Sequence, residues 1–217
     1  MSRLSGRAVL VCLCLACAGL GALVGSRAIA EPGKDGKPGQ PEMKLPPGWT
    51  QEDMNACMTA GMPGKMHEHL AKSVGTWQGK NTMWMGPGTE PIKSESTSTI
   101  KQVMDGRFTI CEASGDMPGM GPFKGFGITG YDNVQKKYVS IWMDTMTTSM
   151  MTMSGTADAS GKVITEEGEM PCCMTGKMTK FKAICRLESP SKHVFEMHSP
   201  DESGKMFKCL EVTYTRK

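Results

Sequence analysis

From Trp77 to the end of the chain, apolar and polar residues alternate with a period of two, the spacing of side chains on a pleated strand. The alternation predicts ten strands, at 76–85, 93–104, 107–113, 123–131, 138–145, 149–157, 163–169, 177–187, 193–198 and 206–215. Asp105-Gly106, Asp132-Asn133, Ser160-Gly161 and Ser203-Gly204 sit between them and supply turn chemistry. Ten short strands with no long helix between them predict an all-β fold. A closed antiparallel up-and-down barrel is the arrangement that leaves no exposed edge. Gly125, Gly127 and Gly130 interrupt one strand where the wall bends or another group approaches the backbone closely.

Before the strands the spacing is helical. Residues 49–62 read as one short helix, with Thr50 as N-cap, Asp53 at the capping-box distance, Gly61 at the far end and Pro63 barring continuation. Met54, Met58 and Met62 share one of its faces. A second helical turn at 66–72 leads into Gly75. Such a pair suits a lid or plug at one end of a barrel, so the helical segment is assigned to 49–72 and the barrel to 73–217. Residues 31–48 alternate prolines with glycines and cannot bury a core, which makes them a semi-stiff linker.

Residues 1–30 have the form of an export signal: Arg3 and Arg7, an apolar run from Ala8 to Val24, and Ala28-Ile29-Ala30 as a small-x-small cleavage site. The expected product is periplasmic or extracellular, with no membrane span once the signal is cut; the alternative is an uncleaved anchor. Losing Arg3, Arg7 and Arg27 takes the formal charge from +3 to zero, which leaves no basic excess to hold nucleic acid. Of nine cysteines, Cys57, Cys111, Cys172, Cys173, Cys185 and Cys209 remain. In an exported chain they are disulfide candidates, and Cys185 with Cys209 is the pair that two late strands could bring together.

Several segments carry a family likeness. His67-Glu68-His69-Leu70-Ala71, Gly75-Thr76-Trp77, Gly106-Arg107-Phe108, Gly127-Ile128-Thr129-Gly130-Tyr131-Asp132, Tyr138-Val139-Ser140 with Trp142 and Asp144, and Glu211-Val212-Thr213-Tyr214-Thr215-Arg216 occur in order. Together they resemble the bacterial domain of unknown function 1579. That resemblance implies a lipocalin-like or calycin-like barrel and no particular activity. Gly75-x-Trp77 also looks like the step that opens calycins. Gly75, Trp77 and Arg216 are therefore read as structural, with Arg216 returning to stack on Trp77 and join the last strand to the first.

The chemistry is sparse: no nucleophile stands beside a base, and no phosphate loop or histidine cluster with metal spacing is present. On the fifth strand Tyr138, Ser140, Trp142 and Asp144 form one row, and Val139, Ile141 and Met143 the other. If the first row faces inward, Trp142 and Asp144, with Tyr131 and Arg107, give an apolar cavity a few orienting polar groups, as ligand sites have. The leading expectation is a non-enzymatic barrel that binds a small apolar or amphipathic ligand; no cofactor is identified. A second reading takes Met170, Cys172, Cys173 and Met174 as soft donors for copper(I) or a similar metal. Methionine as filler of an adaptable interior explains the same composition. His67 and His69 are two apart on a helix and diverge, which suits packing at the barrel base. An enzyme with a barrel pocket is the third class, entered through Trp142 and Asp144.

Overall fold

The computed structural model describes residues 45–173 and 175–217; the expected export signal, the linker up to residue 44 and Met174 lie outside the described residues. Two short helices come first, α1 (Gln51–Gly61) and α2 (Lys65–Ala71). Thr50 caps α1 as its sequence predicts: its hydroxyl accepts from the Asp53 amide at 3.1 Å, and the Asp53 carboxylate accepts from the Thr50 amide at 2.8 Å. In α2 the buried His67 reaches back through Nδ1 to accept from the Gly64 amide at 3.0 Å, doing with an imidazole what a capping-box acid does.

Ten strands follow: β1 (Gly75–Met83), β2 (Ile92–Val103), β3 (Phe108–Met117), β4 (Gly121–Asp132), β5 (Lys137–Asp144), β6 (Met151–Ala157), β7 (Val163–Pro171), β8 (Met178–Ser189), β9 (Lys192–Pro200) and β10 (Met206–Arg216). Each pairs antiparallel with its chain neighbour, and β1 pairs with β10, so the sheet closes into a barrel. Paired residues lie on the same face of a sheet, so one inward residue fixes the inward row of every strand. Trp77, which has 0 % of its surface exposed, is such a residue. It stands opposite Arg216 on β10 and Ser98 on β2. Followed around the ring, the same row contains Gly127, Trp142 and Met151 at one level and Gly155, Glu166 and Ala183 at another.

The inward row of β5 is thus Tyr138, Ser140, Trp142 and Asp144; Tyr138 and Ser140 are buried while Val139 is exposed. On β2 the inner row is Ser94, Ser96 and Ser98, and these serines find partners. Asn81 donates to Ser94 at 3.0 Å and accepts from Ser96 at 3.0 Å, and Ser98 meets Cys111 at 3.2 Å.

The two ends of the barrel differ. At one end are the tight connections 104–107, 133–136, 158–162 and 190–191, and α2 packs there on β3 and β4. Asp132 closes one of these turns by accepting from the amides of Val134 at 2.7 Å and Gln135 at 2.9 Å. At the other end the connections 84–91, 118–120, 145–150, 172–177 and 201–205 surround a mouth. No helix among the described residues is long and apolar enough to cross a membrane.

Base closure depends on Trp77. Its indole donates to the Ser73 carbonyl at 2.8 Å, and Arg216 lies 4.2 Å over its ring. The Arg216 guanidinium also donates to the carbonyls of Val74 at 2.6 Å, Lys72 at 3.1 Å and Pro190 at 3.0 Å, tying the last strand to the segment that precedes the first. Gly75 has φ of +140° and lies directly beneath that guanidinium, where a Cβ would collide with it.

Two expectations are corrected here. Cys185 and Cys209 are free thiols because β9 lies between their strands; Cys209 instead approaches the Met197 carbonyl at 3.3 Å. The methionine face of α1 covers nothing: α1 has no buried residue, Met58 and Met62 are exposed, and α2 alone serves as the plug.

Candidate functional site: the barrel cavity

A cavity of about 550 Å³ occupies the barrel, reaching from His69 and Ser73 beside α2 to Met146 and Met170 at the mouth. Its wall is mostly apolar: Phe181 and Leu187 from β8, Phe195 and Met197 from β9, Leu210 and Val212 from β10. The volume exists because small residues occupy inward positions. Gly125 and Gly127 leave the wall bare where the Trp142 indole lies flat against it; a Cβ at Gly127 would come within 2.9 Å of that ring. A backbone that can accept an indole in van der Waals contact needs glycine there.

Trp142 is held in that pose. Its Nε1 donates to Asp144 Oδ2 at 2.9 Å, and Asp144 Oδ1 accepts from the Met146 amide at 2.9 Å. Both residues line the cavity, yet each Asp144 oxygen already accepts a hydrogen bond: the carboxylate orients the indole and fixes the start of the β5–β6 connection.

One acidic group in the cavity has capacity to spare, Glu166. Its side chain projects inward from β7 and lines the cavity, and Ser140 Oγ donates to Oε1 at 2.8 Å. Ser140 in turn meets Thr129 Oγ1 at 3.1 Å. Burial holds the Glu166 carboxyl above the ordinary carboxylate range, with the Ser140 hydrogen bond acting in the opposite direction. Sequence reasoning passed over this residue, although the signal was present: Ile164, Glu166, Gly168 and Met170 share one row, so the acid interrupts an inward-facing face.

Other expected residues lie elsewhere. Tyr131 is on the inward row but at the plugged end, packed edge-on against His67 at 5.9 Å and Tyr138 at 5.1 Å, and does not line the cavity. Arg107 is in the β2–β3 turn outside the barrel, donating to the Gly61 carbonyl at 2.9 Å and the Met104 carbonyl at 3.2 Å. It anchors α1 and orients nothing in the cavity. Met170 lines the mouth, while Cys173 is exposed on the connection that follows, and Met174 lies outside the described residues. Among the described residues no three His, Cys, Asp or Glu side chains converge as a metal site.

Two cavity thiols are set against nucleophilic work. Burial raises Cys185 to about 11, with Glu166 adding to the rise, and burial also raises Cys111. Thiols of this kind hold their protons at neutral pH, the reverse of an activated cysteine. At the base His193 sits between Trp77, edge-on at 4.3 Å, and Tyr214, stacked at 4.6 Å. Burial, and after it the Arg216 charge, lowers His193 to about 4, so the imidazole is neutral. His69 meets the Tyr138 hydroxyl at 2.9 Å and is likewise lowered, mainly by burial.

The family model described as "Protein of unknown function (DUF1579)" matches residues 62–216. The chain belongs to this family. In this DUF1579 chain the matched region begins with Met62, at the end of α1, and takes in α2 and all ten strands. Among solved structures, the crystal structure of Rv2717c from M. tuberculosis is similar, with 14% identity and a TM-score of 0.54, covering 72% of this chain and 99% of that one. This is a likeness of fold. The redesigned β barrel mFAP1, solved bound to DFHBI, is also similar, at 16% identity and a TM-score of 0.36 over 70% of this chain and 100% of the other, a likeness too distant to bear on this DUF1579 chain. No curated protein matches the chain significantly.

Proposed function

We propose that this protein is an exported, non-enzymatic carrier or sensor that holds a small apolar or amphipathic molecule inside its barrel. The observation that carries the reading is the cavity itself: about 550 Å³ of space in a barrel that could have been filled with side chains. Well-packed interiors leave few voids larger than a water molecule, so an apolar space of this size is a feature of the design. The base is sealed by Trp77, Arg216 and α2, which leaves the mouth as the route of entry. The raised cavity thiols support binding over covalent catalysis.

The signal at 1–30 supports delivery across a membrane before the barrel works, with the linker 31–48 spacing it from its surroundings. The test is native mass spectrometry of protein purified from its own host. The expected wild-type spectrum shows a mass above that of the mature chain that is shed on collisional activation, and a Gly127→Phe variant that fills the cavity shows no such added mass. Protein that carries no adduct from its host, and takes up none of a panel of apolar dyes, contradicts the reading.

A further inference from the structure

Several polar groups lining the cavity are matched to protein partners, as in the Asn81, Ser94 and Ser96 ladder and the Trp142–Asp144 pair. Glu166 differs. Among the described residues its only hydrogen bond is the one Oε1 accepts from Ser140, and no salt bridge reaches it. No buried side-chain oxygen among the described residues lacks a partner, so the other carboxyl oxygen, Oε2, faces open cavity. A carboxylate taken from water without a counter-charge is costly, and a cation brought by a ligand removes that cost.

The surroundings suit such a cation. Phe181 lies over Gly168, the next inward position along β7, and a Cβ on that glycine would come within 2.9 Å of its ring. Met153 pairs with both Ser140 and Gly168, and Trp142 is the next inward residue after Ser140. Aromatic faces and a thioether beside a carboxylate accommodate an alkylammonium group and its carbon skeleton together.

We infer that the ligand of this cavity is an amphipathic organic amine, bound with its ammonium group on Glu166 and Ser140 and its apolar body against the aromatic and aliphatic wall. This rests on the ligand-binding reading above, and it names the chemical class.

The test is displacement of the neutral dye Nile red at about pH 8, using 4-phenylbutylamine and its isosteric alcohol, 4-phenylbutan-1-ol. The amine is expected to compete at a concentration about tenfold or more below that of the alcohol, the ratio a charge-assisted hydrogen bond supplies. In Glu166→Gln the advantage of the amine over the alcohol disappears. If the dye binds and both competitors displace it equally from the wild type, the amine inference fails and the cavity reading survives. If Nile red is not taken up, both fail. The wild-type comparison of amine with alcohol does not depend on how well the variant folds.

Discussion

Arg216 shows how a single side chain can close this barrel. It combines a cation–π stack on Trp77 with hydrogen bonds to three carbonyls that no strand or helix satisfies. Arg216→Ala is expected to lower stability by about 2 kcal/mol, read from urea unfolding, because both contributions go at once. His193, sandwiched beside it, makes the fold sensitive to acid. Its folded pKa of about 4 lies below the ordinary 6.5, so the unfolded chain binds the proton more readily between those values. Stability from this residue is present above pH 6.5 and is lost as the pH falls toward about 4. His193→Phe, which keeps the aromatic stack, is expected to flatten the stability profile across that window. Glu166 acts in the opposite sense. Its folded pKa is raised above 4.5, so its protonated form is the better-tolerated one and its cost grows as the pH rises through the folded value. In the absence of ligand, Glu166→Gln should therefore be more stable than wild type at neutral pH and equal to it in acid.

At the scale of elements, β4 and β5 form the working wall. Gly125 and Gly127 admit the Trp142 indole, and Gly127→Val is expected to destabilise by about 1–3 kcal/mol and to weaken dye uptake, since overpacking forces the ring off its seat. Helix α1 behaves differently, because it buries nothing and hangs on two side chains. Asn133 donates to the carbonyls of Ala60 at 2.9 Å and Met62 at 2.8 Å, and Arg107 donates to Gly61. Asn133→Ala should speed amide hydrogen exchange across 51–61 while leaving the global unfolding free energy within about 0.5 kcal/mol of wild type. The strands were largely legible from the chain because their apolar rows alternate with polar ones. β2 is the exception: Ser94, Ser96 and Ser98 face inward and Glu95, Thr97 and Thr99 outward, so both rows are polar and only the register reveals the face. The end of β3 was missed for a related reason, since Ser114, Gly115 and Asp116 carry no alternation to read. Within the site, alternation identified the inward row of β5 but not the height of a residue in the barrel. That is why Tyr131 was expected in the cavity and is found under the plug, and why Arg107, in a turn, was assigned a place no strand could give it.

For the whole molecule, sealed base and open mouth define a direction. Around the mouth stand exposed methionines, Met85, Met120, Met146 and Met150 on the connections and Met178 and Met206 at the first positions of β8 and β10. Unbranched thioethers adapt their shape cheaply, which suits an entrance that must admit a molecule and then close around it. Many of the chain's methionines thus fall on the lining and lip of the cavity. If the barrel is built to be occupied, protein isolated from its own host carries an occupant, and a crystal structure of that protein is the decisive experiment. The expected map holds density for a small molecule within the cavity, its polar end at Glu166 and its body beside Trp142 and Phe181. A barrel whose walls have collapsed inward to leave side chains filling the space beside Trp142 would contradict it.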